Sequence, residues 1–195
     1  MRPTLRVTKI ACAHALMIIL GSALLVAQAG WHKAGDHPAD YEMGTDETTA
    51  FTGSSSGFIK SKPNSQGFGT YMQTIDATEY RGKRVQLSAY VKSADIADWA
   101  GVWMRVDAGS TAIAFDNMQS RPIKGSNDWT QHRVVLDVGN NASAIAFGIL
   151  LSGKGAVWID DVALDIVSVD VPVTDMFGTR KSGPRNLDFE TPAKQ

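Results

Sequence analysis

Residues 71–167 carry a succession of short segments rich in β-branched and aromatic residues, separated by Gly, Asn, Asp and Ser: YMQTI, KRVQLSAYVKS, GVWMRVD, AIAFDNM, HRVVLDV, AIAFGILL and AVWIDDVALDIV. Most of them alternate apolar and polar with period two, the pattern of a strand that buries one face. The spacing predicts an all-β sandwich. It leaves no room for a helix-borne nucleophile, a phosphate loop or a metal-protease helix, so function must sit on a sheet face or in the edge loops. Binding is favoured over catalysis.

Alternation assigns faces strand by strand. In KRVQLSAYVKS, Val85, Leu87, Ala89 and Val91 point one way and Gln86, Ser88, Tyr90 and Lys92 the other. In GVWMRVD, Val102, Met104 and Val106 oppose Trp103, Arg105 and Asp107. Residues 145–151 are apolar on both faces except at Gly148. They predict either a central strand buried on both sides or one that faces a cleft, where Gly148 admits a close neighbour. Asn127-Asp128-Trp129 reads as a turn with an aromatic lid, and residues 53–57 and 61–69 as loops.

The ends read differently. Arg2, Arg6 and Lys9 precede an apolar run over residues 10–27 that closes in Ala27-Gln28-Ala29, the form of a secretory signal peptide cleaved after residue 29. The alternative is a retained membrane tether, because the run approaches the roughly 20 residues that span a bilayer. Cleavage removes Cys12, the one cysteine, and with it any disulfide or thiolate site. It also removes three basic and no acidic side chains, leaving 16 Lys plus Arg against 20 Asp plus Glu. A mildly acidic, extracytoplasmic product without a further membrane span is expected, and it lacks the basic footprint of a nucleic-acid binder. The domain is expected over residues 30–168. Residues 169–195 are expected to form a tail that crosses the surface and ends in Asn186-Leu187-Asp188-Phe189-Glu190.

The NLDFE segment, the Gly-Trp near residue 30, the Gln-containing strand, the apolar strand with Trp103 and Arg105, and the closing VWIDDVALDIV together resemble carbohydrate-binding modules of families 4 and 9. They are similar also to the wider galactose-binding-like jelly-roll domains, and to small jelly-roll domains found beside bacterial regulatory or envelope proteins. The resemblance covers residues 31–167. It implies a jelly-roll β-sandwich and a carbohydrate or other polar envelope ligand. In those modules an Asn-x-x-Phe-Glu segment opens the domain, whereas here it lies at the other end. Residues 186–190 therefore either return to the first-strand position or belong to a second domain. The resemblance further implies a structural calcium near Asp160 and Asp161, with Glu190 completing the oxygen shell. The other reading of Asp160 and Asp161 is a strand-ending pair bonded to backbone.

Gln73, Tyr90, Trp103, Arg105 and Asp116 are the candidate ligand residues, expected on core-opposed faces. They supply aromatic faces for stacking on sugar rings and planar polar groups for paired hydroxyls. The alternative is a cross-strand Arg105–Asp116 ion pair beneath Trp103. His32 and His37 fall in the leading loop and His132 stands alone, so neither a nucleophile–base set nor a two-His metal spacing is visible. A non-catalytic module is expected, either ligand-binding or a structural domain that presents an edge to a protein partner.

Overall fold

The computed structural model describes residues 30–178. The expected leader (residues 1–29) and the NLDFE segment lie outside these residues. Nine strands follow in order: β1 His32–Gly35, β2 Tyr41–Asp46, β3 Ser56–Ser61, β4 Phe68–Asp76, β5 Arg84–Ala108, β6 Thr111–Asp116, β7 Ile123–Asp137, β8 Ala144–Ser152 and β9 Ala156–Val167. All pairings are antiparallel. The fold is the all-β jelly-roll sandwich.

Its organising element is β5, 25 residues long. The segments KRVQLSAYVKS and GVWMRVD are one strand that bends between its halves, where the register slips between Val91 and Ala100 and Asp95 takes φ 54°. The first half pairs with β7 and β9 and the second with β6 and β8. One layer therefore runs β2-β3-β9-β5-β7 and the other β1-β4-β8-β5-β6. Asn127-Asp128-Trp129 is not a turn but part of the extended β7. It follows the bend of its partner, where local turn preference yields to cross-strand bonding.

The inward faces make the core. Val85, Leu87 and Val91 of the first half of β5, with Leu136, Ile59, Met43 and Val157, meet Val102, Met104 and Val106 of the second half and Ile145, Ile149 and Leu151 of β8. Each such side chain is buried and contributes about 1.5–3 kcal/mol. β8 is central and buried on both faces. At Gly148 the close neighbour is backbone, because an added Cβ would clash with the Tyr71 carbonyl oxygen.

After β9 the chain crosses the open side of the sandwich. Arg84 donates to the Val169 and Val171 carbonyls. Thr174 N–H donates to Val135 O at 2.8 Å, and Met176 N–H to Phe115 O at 2.8 Å. Phe115 N–H in turn donates to Asp175 Oδ1 at 3.0 Å. The strap thus satisfies backbone groups on β7 of one layer and β6 of the other, groups that would otherwise be free edges open to pairing with another chain.

A second tie joins the layers at the same side. Asp116, fully buried, accepts from Met118 N–H at 2.8 Å and from both terminal nitrogens of Arg121 at 3.2 and 2.6 Å. Arg121 also donates to the Arg133 carbonyl of β7 at 3.0 Å. The Arg105–Asp116 ion pair that the sequence offered as the alternative to a ligand site does not form: Arg105 pairs with Asp107 and Asp116 with Arg121. Arg105 lies opposite Phe115 and Met104 opposite Asp116, so Arg105 and Asp116 face opposite sides of one sheet.

Asp116→Ala strands the Met118 N–H and the guanidinium. Loss of one partner of a buried pair costs about 3–5 kcal/mol, and the partly exposed Arg121 regains some water. A destabilisation of about 2–3 kcal/mol is expected, read as a fall of about 5–10 °C in the thermal midpoint. His132 near this tie has its pKa pushed below the ordinary imidazole value, by burial first and by the Arg121 charge second. The unfolded chain then binds the extra proton more readily, so stability is full above the unfolded pKa of about 6.5 and declines as pH falls through it toward the folded value. His132→Gln is expected to flatten that part of the stability–pH curve in denaturant titrations.

Candidate functional site

The five expected ligand residues do not converge. Trp103 is 6% exposed and its indole N–H donates to Thr70 Oγ1 at 2.8 Å. It packs with Phe68, Met72, Trp99, Phe115 and Leu150, so this outer face is sealed by its own side chains. Arg105 beside it is exposed and pairs with Asp107 at 2.9 Å. Gln73 lies level with Phe147 and Met104, and Asp116 with Met104, so both belong to the inward side of that layer. Tyr90 alone sits on the outer face of the other layer, opposite Gln131 and Asp160. The physical reason is register: faces assigned strand by strand become comparable only once pairing aligns them.

The open aromatic surface is on the Tyr90 side. The Phe51 ring stacks on Tyr90 at 3.7 Å and 14°, and Trp129 lies 5.9 Å from Phe51 at 54°. Phe51 is 39% exposed although it is a large apolar side chain. Trp158 shares this face, aligned with Lys92 and Phe58, and its indole N–H donates to Asp46 Oδ2 at 2.8 Å. Polar groups edge the rings, with Lys92 bound to Asp128 at 2.9 Å and Gln131 exposed beside Tyr90.

Two of these carboxylates are held ionised. Partial burial works to raise the Asp46 pKa, but hydrogen bonds from Thr48 and Trp158 outweigh it and hold the group below the usual carboxylate range. Hydrogen bonds from Lys92, then from the Trp129 backbone, do the same for Asp128. Both offer charged acceptors to hydroxyl donors.

Asp160 builds this surface. Its Oδ2 accepts from Phe51 N–H at 2.7 Å and Thr52 N–H at 2.9 Å, and its Oδ1 from Asp161 N–H at 2.7 Å. The carboxylate thereby pins the loop that presents Phe51. Asp161 occupies an irregularity of β9 at φ 48°, where the pairing with β5 slips. Both Asp160 oxygens face backbone N–H groups, which fits poorly with a calcium shell of six to eight oxygens. Among the described residues no three His, Cys, Asp or Glu side chains gather as a metal set, and Glu190 lies outside those residues. Phe51 and Trp158 are not singled out by the sequence; the one available signal is a lone Phe in a Gly-, Ser- and Thr-rich loop.

A separate cleft of about 180 Å³ opens between the layers where β3 begins beside β9. Trp31, Thr45, Ser55, Tyr71, Asp160 and Asp161 are among its lining residues. The Trp31 ring leans on Tyr71 at 5.2 Å and 33°. At Gly57 an added Cβ would crowd Ile159 Cγ2 at 3.1 Å and touch the Tyr71 ring at an ordinary contact distance of 3.4 Å. Tyr71 is 3% exposed and its hydroxyl has no hydrogen-bond partner among the described residues. A buried unsatisfied polar group of this kind costs about 1–3 kcal/mol.

No family model matches the chain. It is 42% identical over 166 residues to an uncharacterised HTH-type transcriptional regulator, YbfP, of Bacillus subtilis (strain 168), a match that takes in 83% of this chain and 56% of the relative. The chain thus spans a little over half the length of that relative. Among solved structures, the CBM22-1 xylan-binding domain from Paenibacillus barcinonensis superposes with a TM-score of 0.52 at 16% identity, covering 73% of this chain and 88% of that domain. The enzymatically active domain of tailspike protein 4 of bacteriophage CBA120 gives a TM-score of 0.56 at 18% identity, covering 71% of this chain and 20% of the tailspike chain. At such identities the likeness is one of fold. The carbohydrate-binding domains among these neighbours are of family 22, not families 4 and 9, and what they share with this chain is the jelly-roll fold.

Proposed function

We propose that this chain is a non-catalytic module that binds a carbohydrate on the outer face of the β2-β3-β9-β5-β7 layer, and that it works outside the cytoplasm. The observation that carries the reading is the aromatic surface of Phe51, Tyr90, Trp129 and Trp158, set in an open sheet face and edged by Asp128, Lys92 and Gln131. Flat apolar rings suit the carbon faces of sugars, and fixed charged groups suit their hydroxyls. The loop is pinned by Asp160 before any ligand arrives, so little ordering entropy remains to oppose binding. The shared fold with a xylan-binding domain supports the same ligand class, and the Ala27-Gln28-Ala29 leader supports export.

The match to an HTH-type regulator favours a second reading, in which a domain of this kind reports ligand occupancy to a regulatory partner rather than anchoring an enzyme to a polymer. The two readings share the binding step and differ in its consequence.

Calorimetric titration with xylo-, gluco- and galacto-oligosaccharides and peptidoglycan fragments tests the proposal. At least one series is expected to bind the native protein, and Trp129→Ala is expected to weaken it about 30-fold or more, as loss of a central aromatic anchor does. No heat from any series, with the fold intact, would replace the proposal by a structural domain that presents this face to a protein. Mass spectrometry of the native protein is expected to find Gly30 at the N-terminus; an intact leader would make it a membrane-tethered module.

A further inference from the structure

We infer that the cleft lined by Trp31 and Tyr71 is a second binding site, distinct from the aromatic sheet face, and that it takes one neutral sugar unit. Its volume of about 180 Å³ corresponds to about six waters at the liquid's share of roughly 30 Å³ each, room for one ring and too little for a chain laid lengthwise. Its chemistry is that of a hydroxyl-rich ligand. Trp31 supplies an aromatic ring, Thr45 and Ser55 supply hydroxyls, and Asp161 supplies a carboxylate among its lining residues. No Lys or Arg lines it among the described residues, so an acidic sugar would meet two carboxylates with no compensating charge.

The independent sign of a ligand is the Tyr71 hydroxyl, buried without a partner among the described residues in a side chain that lines the cleft. Native folds seldom leave such a group unpaired, and a sugar hydroxyl would satisfy it. The hydroxyl is covered, and the half-buried Trp31 indole packs on the same ring. A ligand reaches it only as Trp31 shifts, which makes Trp31 the reporter. Asp160 lines the cleft and also holds the Phe51 loop, so the two sites meet at one carboxylate.

The test uses glucose, xylose, N-acetylglucosamine and glucuronate as probes on the full chain, read by tryptophan fluorescence and calorimetry. A neutral monosaccharide is expected to change the fluorescence of the native protein, and Trp31→Phe is expected to abolish that change. Tyr71→Phe deletes only the hydroxyl, which has no partner among the described residues. Its thermal midpoint is therefore expected to hold or rise by a few degrees while affinity falls about tenfold or more, and glucuronate is expected to bind at least as much more weakly than the neutral sugars. The inference is overturned if no monosaccharide binds, if Tyr71→Phe binds like the native protein, if glucuronate binds as well as glucose, or if calcium chloride alone reproduces the change. Monosaccharide binding without oligosaccharide binding to the sheet face would overturn the proposed function and leave this site standing.

Discussion

The bend in β5 is the constraint on which the rest of the sandwich depends. Because one strand runs through both layers, its first half sets the register of β7 and β9 and its second half that of β6 and β8. The layers are thus coupled through covalent backbone as well as through the apolar contacts of Val85, Leu87, Val102 and Met104. A change that shifted the bend by one residue would exchange the core and solvent faces of half the strand. The register slips between Val91 and Ala100 absorb the turn without that exchange.

Two carboxylates show how differently one residue type is used. Asp116 is enclosed, takes its hydrogen bonds from Arg121 and a backbone N–H, and ties β6 to the neighbouring β7 through the Arg133 carbonyl. Asp160 stands at a strand irregularity and takes backbone N–H donors from a loop more than a hundred positions earlier in the chain. The first secures the frame. The second shapes a surface, because the loop it anchors carries Phe51 onto Tyr90 and borders the cleft that holds Tyr71. Among the described residues, the only large apolar ring of the exposed hydrophobic side chains is therefore also one of the better-anchored.

Alternation of apolar and polar residues determined, from sequence alone, that the chain folds as strands and which residues of each strand share a face. Val85, Leu87, Ala89 and Val91 are buried together, as are Val102, Met104 and Val106, because a pleated strand with one buried face has no other solution. The two-sided burial of β8 was legible for the same reason, in its unbroken apolar run. Which faces of different strands lie together was not legible. That depends on pairing register, a long-range property, and it sent Asp116 and Gln73 inward, sealed Trp103, and gathered Tyr90, Phe51, Trp129 and Trp158 from four distant segments. Composition and period set the fold because they act within a strand; the site was decided by tertiary structure because its residues become neighbours only across strands.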